Sequence, residues 1–129
     1  MNDLNLKISK EHAWVSVAQG DVATIGITQF AQESMGEITY IELPEVGKAV
    51  QAGEFLCAIG SSKAFVDLLS PVSGEVIEIN EELSMMPSLI NQSPLDKGWF
   101  VRLRASELEE LASLMDVPAY TKFIESETT

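Results

Sequence analysis

The sequence predicts a mainly β protein: two small antiparallel sheets packed as a sandwich, with short helices at the periphery. Three observations predict it. Short apolar runs rich in Val, Ile, Phe and Thr recur along most of the chain. Glycines and prolines fall between those runs, at the places where a chain must reverse. Helical spacing is confined to brief stretches and to the C-terminal third.

Taken in order, residues 14–18 (WVSVA) and 22–27 (VATIGI) are two strands flanking Gly20-Asp21, a hairpin signal. Residues 28–36 (TQFAQESMG) form a short helix, with Thr28 as its N-cap and Gly36 beyond its end. ITYIEL (38–43) is a strand stopped by Pro44 and the turn at Gly47. Three more strands follow: EFLCAI (54–59), AFVDLL (64–69) and GEVIEI (74–79), with Pro71 and Gly74 marking the last gap. Residues 86–94 (MPSLINQSP) have room for one helical turn. GWFVRLRA (98–105) is a strand whose facing is open, because Phe100 and Leu103 differ in parity. Ser106 and Glu109 predict a capping box ahead of a helix in which Leu108, Leu111, Ala112 and Met115 face the sheet. A second short helix starts around residues 116–118, and the polar tail ESETT is expected to fray. No linker or shift in composition divides the chain, so residues 1–129 are read as one domain.

Composition narrows the function. Twenty acidic residues against eight basic ones give a formal charge of −12, which repels nucleic-acid phosphates and anionic lipid. The lone cysteine, Cys57, excludes an internal disulfide and sits in the apolar run FLCAI as a core residue. The N-terminal stretch has neither a signal-type apolar core nor an arginine-rich transit pattern, so the chain reads as cytoplasmic. His12 is the sole histidine, and no serine has a nucleophile motif around it, so no catalytic residues are assigned. Neither metal-ligand spacing nor a phosphate-binding glycine loop is present. Glu107, Glu109 and Glu110 read as a solvated helix face.

The most informative segment is 61–76, SSKAFVDLLSPVSGEV. It sets Lys63, one of six lysines, in a polar turn between two strand-like runs, between Gly53 and Gly74. A lysine offers a nucleophilic amine on a long flexible stem. A hairpin tip holds it clear of the body, and small neighbours (Ser61, Ser62, Ala64) leave it approachable. Spacing alone leaves two readings open: a site of covalent modification, or a solvated turn residue.

The segment from Gly47 to Asn80 resembles the biotinyl/lipoyl carrier hairpin. KEHAW (10–14), residues 25–47, SPVSGEVIEIN (70–80) and GWFVRLRASE (98–107) resemble one branch of it in order and spacing, the glycine cleavage system H proteins. The resemblance implies a barrel-sandwich hybrid fold (the lipoyl-domain hammerhead) with added helices. It also implies lipoate amide-linked to Lys63, attached by a lipoate ligase or lipoyl transferase. The implied partners are a pyridoxal-phosphate glycine decarboxylase that loads an aminomethyl group, a folate-dependent aminomethyltransferase, and the flavin enzyme dihydrolipoyl dehydrogenase. Asp67 matches the family and is implied to hold the amine of the loaded arm. A monomer suits a shuttle that visits several partners.

Some positions depart from the family pattern. Gly60 stands where a Glu read by lipoylating enzymes is usual, Ser62 where Val is usual, and Phe65 and Val66 where small residues are usual. Ala13 replaces a Glu placed by the family near the loaded arm, and Ser34 replaces a histidine. Two carrier readings follow: a glycine-cleavage carrier, or a paralogue that carries or donates lipoyl for other complexes or for redox or regulatory modification.

Overall fold

The structure, a computed structural model, describes residues 6–17 and 20–128, with Leu108, Glu127 and Thr128 described by backbone alone. Two antiparallel sheets make the body. The larger contains β1 (Leu6–Ile8), β2 (Ala13–Val17), β3 (Val22–Ile27), β5 (Ala49–Val50), β8 (Gly74–Ile79) and β9 (Val101–Ala105), in the order β1-β2-β3-β9-β8-β5. The smaller contains β4 (Ile38–Glu42), β6 (Phe55–Ser61) and β7 (Phe65–Leu69), in the order β4-β6-β7. The predicted sandwich is this pair of sheets. The three-residue β1 and two-residue β5 are additions that run lengths this short do not signal.

Between the sheets lies one apolar core that includes Ile25, Ile38, Leu56, Ile59, Val76 and Phe100. In β9, Val101, Leu103 and Ala105 are buried while Arg102 and Arg104 face out, which settles the facing that the sequence left open. Phe100 is also buried because it precedes the strand and lies outside its alternation. A second cluster forms under α4 (Val117–Thr128), where Leu6, Ile8, Trp14 and Tyr120 meet Phe123 and Ile124. Trp14 is fully buried, and its indole N–H donates to the Pro94 carbonyl at 2.9 Å. Its ring lies against Gly26, its partner across the β2–β3 ladder, where an added Cβ would come within 2.7 Å of the indole.

Thr28 caps α1 (Gln29–Met35) as predicted, accepting the Ala31 N–H, and Gly36 ends it at φ 81°. α3 (Leu89–Gln92) is the one helical turn read within residues 86–94, and α2 (Glu82–Met85) is a further short helix just ahead of that stretch.

The capping box does not form. Residues Leu108–Ser113 are a 3-10 helix with no side-chain cap, and Ala112 is exposed. Glu110 instead clamps Ser73: its two carboxylate oxygens accept the Ser73 N–H at 2.6 Å and the Ser73 hydroxyl at 2.7 Å. Two charge-assisted bonds to a distant turn outweigh one local cap. The tail expected to fray is helical through Thr128.

Candidate lysine hairpin

β6 and β7 form the hairpin that the sequence placed around Lys63, with Gly60 opposite Phe65, Ile59 opposite Val66 and Ala58 opposite Asp67. The Ser61 N–H donates to the Ala64 carbonyl at 2.9 Å and closes the tip. Lys63 is exposed there.

Ser61 does more than leave room. Its hydroxyl donates to the Met35 carbonyl at 2.7 Å, while the backbone N–H groups of Lys63 and Ala64 lie 3.2 and 3.3 Å from the same oxygen and donate to it. One small side chain therefore shapes the turn and pins it to the end of α1. The lysine stem runs beside Gly36: a Cβ there would lie 3.5 Å from its Cε and 3.7 Å from its Nζ. Positive φ and this close passage both favour glycine at 36.

Asn91 in α3 holds that end of α1 in place. Its side-chain oxygen accepts the Ile38 N–H at 2.7 Å, and its amide donates to Gln32 at 2.7 Å and to the Gly36 carbonyl at 2.8 Å. Nothing in the local sequence marks Asn91 or Ser61 for these roles, because each bridges segments far apart in the chain.

Tyr40, Gly60 and Phe65 lie in one row across the smaller sheet. The Tyr40 and Phe65 rings meet over the glycine, with centroids 5.3 Å apart. A Cβ at position 60 would come within 2.9 Å of the Phe65 ring. A longer side chain at 60 and the aromatic ring at 65 thus compete for one place, and the two departures noted there form a single physical change. In the next row Glu42 and Asp67 flank Ala58 on the same face. Glu42 accepts the Tyr40 hydroxyl at 3.1 Å, and this bond, with the Glu42 charge, raises the pKa of the phenol.

The remaining candidates separate. Asp67 is exposed and makes no ion pair with Lys63. Ala13 is wholly buried within the main core, and Ser34 and Ser62 are exposed. His12 sits at φ 68°, with its Nδ1 2.8 Å from the Tyr120 hydroxyl and its ring 4.9 Å from Phe30. Cys57 is buried, and burial pushes its thiol up to about 12 against a smaller opposing pull from Lys48. No helix of the described residues is long and apolar enough to cross a membrane.

A family model described as glycine cleavage H-protein matches residues 6–127. The chain belongs to the glycine cleavage H-protein family. A glycine cleavage system H protein of Parvibaculum lavamentivorans is 44% identical over 122 residues, covering 95% of this chain and 97% of that one. A probable H protein of Thermococcus gammatolerans is 47% identical, covering 94% and 90%. The mitochondrial H protein 2 of Arabidopsis thaliana is 45% identical, covering 95% and 78%. Among solved structures, the H protein of Mycobacterium marinum superposes with a TM-score of 0.76 at 29% identity, covering 85% of this chain and 95% of that one. The two-sheet architecture with peripheral helices is that family's barrel-sandwich hybrid fold.

Proposed function

We propose that Lys63 carries an amide-linked lipoyl group, and that the chain shuttles an aminomethyl unit from a glycine decarboxylase to a folate-dependent aminomethyltransferase. Dihydrolipoyl dehydrogenase then reoxidises the carrier. The observation that carries this reading is the placement of Lys63: an exposed amine, free of the neighbouring Asp67 carboxylate, on a tip whose shape Ser61 fixes. The site fits such a group, because a modifying enzyme can reach Nζ without moving the core. When bound, lipoate supplies a strained-ring disulfide that takes up a carbon unit with two electrons and returns a dithiol.

The chain's own residues do the rest. Ser61 holds the tip against the Met35 carbonyl, so the arm starts from a defined point. Gly36, lacking a side chain, leaves room for the lysine stem that passes beside it. Asp67 supplies a carboxylate on the same hairpin, which attracts the ammonium of the carried unit. Tethering keeps the arm at high effective concentration at each partner. The chain acts as a non-catalytic carrier in the cytoplasm, a monomer between docking events.

Co-expression with a lipoate ligase, followed by intact-mass measurement, tests the reading. The expected result is a mass gain of one lipoyl group, absent in Lys63→Arg, and glycine-dependent loading when the decarboxylase is added. An unmodified chain under conditions that modify a control H protein overturns it.

A further inference from the structure

Phe65 is 72% exposed, Tyr40 41% and Val66 42%. A phenyl ring this exposed adds little to the core. It nonetheless has a seat, lying over the backbone of Gly60 and against the Tyr40 ring. Gly60 is buried beneath it although it belongs to the outward row of the sheet. The result is an aromatic ledge two residues from Lys63, with the carboxylates of Glu42 and Asp67 in the row behind.

We propose that this ledge is the specificity determinant of Lys63 acylation: the enzyme that lipoylates this chain seats Phe65 in an apolar notch flanked by basic groups. The inference rests on Lys63 being the acylated amine. Continuity decides the occupant. Any protein that brings its reacting centre to Nζ must take in the hairpin tip, and the Phe65 ring then lies at the rim of that contact. Charge complementarity gives the rest of the notch, since the carboxylates beside the ledge and the net charge of −12 favour lysine or arginine around it. Preorganised aromatic side chains are the usual anchors of such contacts. The reaction itself joins the lipoate carboxylate to Nζ as an amide while ATP is cleaved to AMP and pyrophosphate, and nothing is oxidised or reduced.

The test measures KM for the protein substrate and kcat with purified lipoate ligase, lipoate and ATP, read by intact mass. Phe65→Ser is expected to raise KM about tenfold with kcat changed by less than about twofold. Phe65→Leu retains an apolar contact and falls between the two. Gly60→Ala places a Cβ 2.9 Å from the ring and shifts it from its seat, which also raises KM but adds nothing in a Phe65→Ser background. Acetylation of Lys63 by N-hydroxysuccinimidyl acetate, a reagent too small to need the ledge, keeps its rate in every variant, and the melting temperatures show that each is folded. An unchanged KM for Phe65→Ser overturns the proposal. So does an undiminished Gly60→Ala effect without the ring, or a parallel loss of chemical acetylation. Failure of the unaltered chain to be lipoylated strikes Lys63 as the site, a different readout, and takes this inference with it.

Discussion

Gly26→Ala is the sharpest probe of how the body holds together. The new methyl would sit 2.7 Å from Cε2 and Cζ2 of Trp14 and 2.8 Å from Nε1. Carbon pairs are comfortable at about 3.5 Å, so the indole has to retreat by about 0.8 Å. Trp14 has no exposed surface into which to retreat, and its N–H is committed to the Pro94 carbonyl. Overpacking of this kind costs about 1–3 kcal/mol, and stranding a buried donor about 1–3 kcal/mol more. Removing a glycine from the unfolded chain returns about 0.4–1 kcal/mol. The net expectation is a destabilisation of about 1–5 kcal/mol, read as a lower urea midpoint at unchanged slope. In a Trp14→Leu background the same substitution should be close to neutral, since the smaller side chain leaves room for the methyl. A Gly26→Ala cost below about 0.5 kcal/mol, or an equal cost in both backgrounds, would refute the argument that the indole occupies that space.

Other consequences are open to measurement. Ser61→Ala removes the bond to Met35 and the acceptor for two tip amides; it should cost about 1–2 kcal/mol and slow lipoylation, and a rate equal to the parent would count against the pin. Glu110→Ala leaves both Ser73 donors without their carboxylate and should cost about 2 kcal/mol by denaturant melts. The Cys57 thiol stays protonated to about 12 in the fold, but ionises nearer 8.5 when unfolded. Above the lower value the folded state binds more protons, so stability is full below it and falls by about 1.4 kcal/mol per pH unit as pH rises toward the folded value. A Cys57→Ala variant should lack that part of the alkaline loss, and parallel pH profiles would exclude the thiol as its source. Asp67→Asn should weaken glycine-dependent loading roughly two- to fivefold at low salt, with the difference shrinking at high salt.

Much of the fold was legible because the strands obey local rules. β8 matches its apolar run residue for residue, and Thr28 and Gly36 delimit α1 as caps do. What escaped depends on partners distant in sequence. β1 is defined by its ladder to β2 rather than by its own three residues. Leu108–Ser113 has a capping signature, yet the acidic group that matters is Glu110, drawn to Ser73 thirty-seven positions away. At the hairpin, Lys63 and the turn could be read directly. The aromatic ledge could not, because Tyr40 and Phe65 meet only once the strand register places Gly60 between them. Ala13 illustrates the same limit: the family resemblance implies a carboxylate at that point, while the fold here surrounds the position with hydrocarbon.

The Tyr120 hydroxyl lies 2.7 Å from the Thr28 hydroxyl and 2.8 Å from His12, so its reach spans 92 and 108 positions of chain. Such a knot ties late to early. On the ribosome, β1 to β3 can pair as soon as they emerge, but α4, the lid over them, follows only after every other element described. Until then Leu6, Ile8 and the Trp14 ring face solvent on one side. Termination between the end of β9 and Tyr120 would leave a molecule with all nine described strands and its lysine loop present but a greasy flank uncovered, ready for chaperones or for its own kind.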